Sequence, residues 1–182
     1  MIQLLYLDTP RINRRVNVAA HFRTLKSMAE RAGIPVGSEV VFLAEEARRH
    51  MQASTAGVLY LLGHSEGTGG MVLSGRPALD GRTLAAWLPR RAERLPRVAL
   101  FNTCDAVSSG LVRAALAAGI ATVVAAPAPI PIDAMCTHSE TLFRAWLESG
   151  ASLTEAVRLA NATFAHQGML LEVHGGEQNA RP

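Results

Sequence analysis

Two side chains with complementary chemistry each follow an apolar segment of the sequence. His64 comes directly after the run 58–63, and Cys104 ends the segment that starts at Val98. A thiol beside an imidazole is the minimum apparatus for cysteine nucleophilic catalysis, because the thiolate attacks and the imidazole handles the proton. The sequence therefore predicts Cys104 as a nucleophile and His64 as its acid–base partner.

Both apolar segments have the composition of buried β-strands. They are short, rich in β-forming residues, and stop abruptly at polar residues. Strands of this kind, separated by helical patterns, form parallel sheets whose chemistry lies beyond the carboxyl ends of the strands. Neighbouring strands are about 4.8 Å apart. We therefore expect His64 and Cys104 at one edge of the sheet, within reach of each other or one side-chain rotation away.

Strands and helices alternate along the whole chain, which predicts a three-layer α/β sandwich. We expect a mostly parallel sheet of about six strands with helices on both faces, in one domain, 1–175, followed by a flexible tail, 176–182. The predicted strands are 2–7, 40–43, 57–63, 98–101, 121–126 and 169–173. The predicted helices are 18–31, 45–52, 84–94, 110–118, 133–148 and 152–166. Residues 66–79 are expected to form a glycine-rich loop and a small hairpin.

Caps and stop residues define the predicted helix ends. Asp80 or Thr83 is expected to cap the third helix, which Pro96 would stop, and Asp133 to cap the fifth. Ser152 with Glu155 forms a capping box in sequence, so a further helix is expected to begin there.

Composition excludes several classes of function. The chain of 182 residues has a net charge of +3, and its basic residues are scattered arginine pairs rather than one block, so no direct nucleic-acid binding is expected. Two cysteines do not make a disulfide framework, which favours a reducing cytoplasm. The N-terminus lacks the basic region of a signal peptide, and prolines interrupt the most apolar window, 119–135. Cys136 lies in a helical pattern and is expected to be a core or half-buried residue.

The order and spacing of several segments resemble the caspase-like cysteine peptidases, most closely their bacterial CHAT branch. In that family one strand ends in Gly-His-Gly and the next long strand ends in Ala-Cys. The resembling segments are 60–64, 100–105, 109–110, 118–125, 142–150, 152–156 and the last strand before Gly175. Two positions depart from the pattern: Ser65 stands in place of glycine, and Thr103 in place of alanine.

The resemblance implies a caspase-like fold and a cysteine endopeptidase with a His64/Cys104 dyad that needs no third member. Backbone N–H groups of Ser65 and Cys104 are then expected to hold the oxyanion. Serine retains the N–H of the usual glycine but has a narrower range of φ. The implied substrate is a protein, with no cofactor and no metal.

Regulation is also implied by the resemblance. Relatives of this kind are bacterial effectors in defence systems, switched on by a sensor domain or a partner chain. The chain starts directly on its first strand, so we expect any regulator downstream, in another chain, or absent.

Three residues are candidates for the substrate pocket: Asp8, Asn102 and Asp133. Asp8 ends the first strand, and in the metacaspase relatives an acid at that place selects a basic residue before the cut. Asp133 follows the fifth strand, a second region that lines the pocket in the wider family. Helix capping by both acids, beside an apolar pocket, remains the alternative, and Asn102 could instead satisfy backbone groups.

A rival interpretation starts from 63–67, which reads Gly-His-Ser-Glu-Gly and matches the Gly-x-Ser-x-Gly nucleophile elbow of α/β-hydrolases. Ser65 would then be the nucleophile, and a triad would have to recruit Asp133 with His166 or His174. The elbow must turn directly into a helix, whereas the residues that follow read as a glycine loop and a β pattern. A further alternative is a catalytically dead scaffold that keeps the caspase-like fold.

Overall fold

One six-stranded sheet forms the middle layer of the protein. The computed structural model describes residues 1–7, 17–65, 70–73, 79–104, 106–164 and 168–176. The strands are β1 (Ile2–Leu7), β2 (Val36–Val41), β3 (Val58–Gly63), β4 (Val98–Asn102), β5 (Thr122–Ala125) and β6 (Glu172–Gly175). Their order is β2-β1-β3-β4-β5-β6, and among these described strands only β6 is antiparallel to its neighbour. The predicted fold class, a mostly parallel sheet of six strands with helices, is confirmed.

The described helices are α1 (Val18–Arg31), α2 (Ala44–Ala53), α3 (Gly81–Trp87), α4 (Leu111–Ala118), α5 (Ile132–Phe143) and α6 (Leu153–Phe164). A 3-10 turn (Ala92–Arg94) follows α3, and a π-helical turn (Arg144–Glu148) continues α5. All six predicted helices exist, but the ends of α3 and the cap of α5 differ from the prediction.

The third helix is shorter than predicted and begins earlier. Asp80 is its N-cap, with a side-chain oxygen that accepts a hydrogen bond from the Thr83 N–H at 2.8 Å. The helix ends at Trp87 because Leu88, with φ −63° and ψ 146°, precedes Pro89. A residue before proline is driven out of the helical region by the proline ring, so Pro89 and not Pro96 stops this helix.

The predicted caps of α5 and α6 have opposite outcomes: the first is wrong and the second is confirmed in part. The N-cap of α5 is Pro131, whereas Asp133 lies inside the first turn and accepts from the Ala134 N–H at 2.9 Å. The prediction of Asp133 as the cap is therefore wrong. At α6 the Ser152 hydroxyl accepts from the Glu155 N–H at 3.2 Å, as half of the predicted capping box requires.

Helices cover the sheet on both faces, and alternate residues of each strand point to opposite layers. On one face Leu4, Tyr60 and Leu100 pack with α1, α5 and α6, which we call the α1/α5 face. On the other, Leu61 and Phe101 pack with α2, α3 and α4, which we call the α3/α4 face. Strands buried on both faces carry continuous apolar runs. For this reason the positions of β1, β3 and β4 could be predicted from the sequence.

The two edge strands differ most from their predicted ranges. Strand β2 begins at Val36 rather than at residue 40, and β6 spans Glu172–Gly175 rather than 169–173. Each strand pairs with one neighbour among the described residues, and most of its side chains are at least partly exposed. Polar residues such as Glu39 and Glu172 therefore interrupt the apolar pattern that marks a buried strand.

Gly81 marks a close approach between α3 and the turn that leads from β4 to α4. Its N–H donates to the Ser109 carbonyl at 3.1 Å. A Cβ atom on Gly81 would lie 2.5 Å from the carbonyl oxygen of Gly110 and 2.7 Å from its carbonyl carbon. Because both atoms belong to the backbone, the clash can be relieved only by moving the helix or the turn.

We predict that Gly81→Ala lowers the free energy of unfolding by about 1–3 kcal/mol, the usual penalty for overpacking a rigid site. Gly57→Ala is the matched control, because a Cβ on Gly57 has no atom within 4 Å. Urea unfolding of the two variants measures the difference. Equal stabilities of Gly81→Ala and Gly57→Ala would refute this account of the contact.

Two buried histidines lie on the α1/α5 face. The ring of His138 is fully buried, with its centroid 4.3 Å from that of Phe164. His21 is also buried, between Glu140 and Tyr60. Burial lowers the pKa of both imidazoles below 6.5; Glu140 offsets this in part for His21, and the Ala160 backbone does so for His138.

We predict that the protein loses stability as the pH falls through 6.5. Above that pH both imidazoles are neutral in the folded and unfolded chain. Below it the unfolded chain binds protons that the folded protein does not, so the free energy of unfolding falls by up to about 1.4 kcal/mol per pH unit for each histidine. Urea unfolding at pH 7.5 and pH 5.5 measures the loss. His138→Leu should remove about half of it; an unchanged loss in that variant would contradict the assignment.

Candidate active site

The ends of β3 and β4 bring His64 and Cys104 to the same edge of the sheet. The two strands are parallel neighbours, and their paired register ends at Leu62 opposite Asn102. His64 and Cys104 each follow that pair by two residues, so both lie beyond the carboxyl ends of the strands, at the same edge of the sheet. Both side chains are half-buried. An imidazole and a thiol within hydrogen-bond reach of each other can exchange a proton, and the thiolate can attack a carbonyl carbon.

Side-chain alternation puts both residues on the α1/α5 face. Leu62 and Leu100 belong to the core of that face, and the alternation reaches His64 one step after Leu62 and Cys104 two steps after Leu100. A contact supports the assignment of Cys104: its Sγ atom lies 3.6 Å from the carbonyl oxygen of Ile130, which is a core residue of the same face. The thiol thus lies against the backbone that leads into α5.

The segment after β3 folds back and holds the strand end in place. Met71 forms antiparallel bridges with Ser65 and with Leu79, and the Val72 N–H donates to the His64 carbonyl at 2.7 Å. These bonds agree with the predicted hairpin in the part of 66–79 that the structure describes. Residues 66–69 and 74–78 of that segment lie outside the described residues.

Asn102 lies one layer below the dyad and is 3% exposed. Its amide nitrogen donates to the Ser139 hydroxyl at 2.6 Å, and that hydroxyl donates to the Met135 carbonyl at 2.9 Å. The amide group therefore connects β4 to α5. The same helix begins two residues after Ile130, whose carbonyl contacts the Cys104 thiol.

A second set of buried polar groups continues this layer. The Tyr60 hydroxyl lies 2.8 Å from His21 Nε2, and His21 Nδ1 lies 2.8 Å from the Glu140 carboxylate. Burial raises the pKa of Tyr60, so the phenol stays protonated and can donate to the imidazole. His21, Tyr60 and Ser139 were not predicted as residues near the site. One signal was present: His21 lies on the apolar face of a helix, where a histidine requires a buried partner.

Cys136 is the second thiol of the chain and is 6% exposed, within α5. Burial raises its pKa to about 12, with Glu140 and Asp133 adding to the effect. It is therefore fully protonated at neutral pH and is a core side chain, in agreement with its predicted place.

Ser65 is bound in a way that does not suit a nucleophile. Its hydroxyl donates to the carbonyl oxygen of Cys104 at 2.8 Å, and its side chain is largely buried. No helix follows Ser65 in the described part of 65–80, and α3 begins only at Gly81. The strand-to-helix elbow of α/β-hydrolases is therefore not seen in those residues.

One proposed member of a serine triad, His174, is out of reach of Ser65. The sheet register aligns His174 with Leu59, through Ala99 and Val123. His174 is thus displaced by six residues, about 20 Å along the strands, from Ser65, and β4 and β5 separate their strands. The other candidate, His166, lies outside the described residues.

The three candidates for the substrate pocket differ in where the structure places them. Asp8 lies outside the described residues, as does the predicted tail beyond Gly176. Asp133 is exposed in the first turn of α5, three residues after Ile130, whose carbonyl contacts the Cys104 thiol. Asn102 is engaged below the surface with Ser139.

Two searches of the described residues bear on other classes of function. No group of three or more histidine, cysteine or acidic side chains among them could hold a metal ion. Among the same residues, no helix has both the length and the apolar character needed to cross a membrane.

Comparisons with known proteins give a likeness in structure but not in sequence. No family model matches the chain, and no curated protein matches it. A solved structure, described as the Arg specific cysteine proteinase gingipain R (RGPB), aligns with a TM-score of 0.70 at 9% sequence identity. The alignment covers 99% of this chain and 47% of that one, so the chain spans about half the length of its structural neighbour. The six-stranded sheet and its helices therefore have the caspase-like α/β fold that gingipain R, a cysteine proteinase, also has.

Proposed function

We propose that this protein is a cysteine endopeptidase in which Cys104 is the nucleophile and His64 its acid–base partner. The observation that carries this assignment is the register of β3 and β4, whose carboxyl ends lead to His64 and Cys104 two residues beyond the same pair. A fold shared with a cysteine proteinase adds support. Cys136, the other thiol, is too deeply buried to compete.

The proposed reaction has two steps. The Cys104 sulfur attacks the carbonyl carbon of the scissile peptide, and the proton of the thiol passes through His64 to the leaving amine. The C–N bond breaks and leaves a thioester on Cys104, which a water molecule hydrolyses to release the acid and restore the thiol. No metal and no cofactor take part in this scheme.

Backbone N–H groups of Ser65 and Cys104 are proposed to bind the oxyanion that forms in each step. Such donors contribute about 3 kcal/mol each to transition-state stability in comparable sites. The hairpin bonds of Val72 and Met71 support a fixed position for the Ser65 backbone. A donor that is already fixed requires no reorganisation during the reaction.

Cleavage after arginine or lysine is proposed, with Asp133 and Asp8 as the acids that bind the basic side chain. Asp133 is exposed close to the Ile130 backbone that contacts the thiol. A carboxylate binds a guanidinium by paired, charge-assisted hydrogen bonds. Gingipain R, the structural neighbour, is described as Arg specific.

The motif order further supports a CHAT-type bacterial effector that cuts a protein partner and is switched on by a sensor domain or another chain. A cytoplasmic setting fits the two unpaired thiols. A catalytically dead scaffold is the alternative within the same fold, and it would keep partner binding without cleavage.

We expect Cys104→Ala to abolish peptidase activity, and iodoacetamide to do the same to the wild type. Cys136→Ala is the matched control and should retain activity, because its thiol is buried and protonated. Cleavage of fluorogenic peptides by each variant, with circular dichroism to check the fold, measures the effect. Activity that survives in Cys104→Ala but is lost in Ser65→Ala, with a fluorophosphonate adduct on Ser65, would establish the serine hydrolase instead.

For the substrate pocket, we predict that Asp133→Asn and Asp8→Asn each lower kcat/KM for peptides with arginine before the cut by tenfold or more, on the order of one lost charge-assisted hydrogen bond. Glu39→Gln is the control, since Glu39 is an exposed acid on the edge strand β2. A peptide panel varied at the residue before the cut measures the preference. A preference for leucine or aspartate in the wild type would show that the pocket is not acidic.

A further inference from the structure

The carbonyl oxygen of Cys104 accepts hydrogen bonds from two hydroxyl groups. Ser65 Oγ lies 2.8 Å from it, and Thr103 Oγ1 lies 3.4 Å from it, in a longer and weaker bond. Both donors are buried, with Ser65 8% and Thr103 2% exposed. A carbonyl oxygen has two lone pairs, so the two hydroxyls together satisfy it.

The Ser65 bond continues the connection between β3 and β4 beyond their backbone pairing. The paired register of these strands ends at Leu62 and Asn102. Ser65 follows His64 directly and is itself held by its bridge to Met71. The Ser65 hydroxyl therefore joins the backbone that carries the imidazole to the backbone that carries the thiol.

We propose that Ser65 and Thr103 are positioning residues that fix the Cys104 peptide, so that the thiol stays beside His64. This inference rests on the proposed function. The same two positions are those at which the sequence departs from the caspase-like pattern, where glycine and alanine would supply no hydroxyl. The two departures converge on one oxygen atom, so they act as a pair.

A shared acceptor has a measurable consequence. Removing one hydroxyl leaves the carbonyl with its other donor, whereas removing both leaves a part-buried carbonyl unpaired. We expect the loss of one neutral hydrogen bond to lower kcat by about fivefold, and an unpaired buried acceptor to lower kcat considerably more. We therefore expect the two substitutions to be non-additive.

The test is a double-mutant cycle with Ser65→Ala, Thr103→Val and the double variant, in a Cys136→Ala background that leaves Cys104 as the single thiol. We expect each single variant to lower kcat by about fivefold or less and the double variant by on the order of 100-fold, more than the product of the singles. KM should stay within about twofold in all three, because the clamp holds the nucleophile and not the substrate. Thr103→Ser keeps the hydroxyl, so its kcat should equal that of the Cys136→Ala background and exceed that of Thr103→Val.

A second readout does not depend on peptidase activity. The rate of Cys104 alkylation by iodoacetamide, followed by mass spectrometry, should fall at least tenfold in the double variant, because the thiol then spends less time beside the imidazole that takes its proton. Melting temperatures of all variants are measured in parallel, and rates are compared well below the lowest of them, because an unpaired buried carbonyl also lowers stability. A folded double variant whose losses in kcat and in alkylation rate equal the products of the losses in the single variants overturns the inference.

Failure of the clamp and failure of the proposed function give different results. If the wild type cleaves no peptide, the alkylation rates alone decide: a slower double variant supports the clamp, and equal rates overturn it. If Ser65→Ala alone abolishes cleavage while Cys104 is alkylated at the wild-type rate, Ser65 is the nucleophile, and both the clamp and the cysteine peptidase are wrong.

Discussion

Parallel pairing of β3 with β4 is the constraint on which the candidate site depends. Two parallel neighbours end at the same edge of a sheet, and their register decides which side chains stand opposite each other. Here the last pair is Leu62 with Asn102, and His64 and Cys104 each follow that pair by two residues. A slip of one residue would send one of them to the opposite face, where it would meet the α3/α4 core instead.

Polar contacts at two places hold this register: on the α1/α5 face and at the edge of the sheet. On the α1/α5 face, Asn102 binds Ser139 of α5, and the Tyr60–His21–Glu140 contacts tie β3 to α1 and α5. Buried polar groups of this kind must all be paired, so they favour one arrangement of helices over the sheet. At the sheet edge, the hydroxyl of Ser65 adds a direct bond from one strand end to the other.

Strands buried on both faces were predicted at their observed positions, whereas the edge strands were not. The central strands β1 and β3 were readable because both faces are covered and the apolar run is continuous. The edge strands β2 and β6 were misplaced, since a strand with one neighbour carries polar residues that look like loop. The end of α3 was missed because Pro89 acts on the residue before it, an effect that a search for apolar periodicity does not detect.

The sequence by itself determined the class of the fold, the alternation of strands and helices, and the two strand ends that carry an imidazole and a thiol. These follow from local patterns: apolar periodicity, caps and abrupt polar stops. Only the tertiary structure decided that Ser65 faces the Cys104 carbonyl and that Asn102 turns inward to Ser139. Both contacts join residues far apart in the chain: the pairing of β3 with β4 brings Ser65 to Cys104, and the packing of α5 on the sheet brings Ser139 to Asn102. A local sequence pattern encodes neither of these contacts.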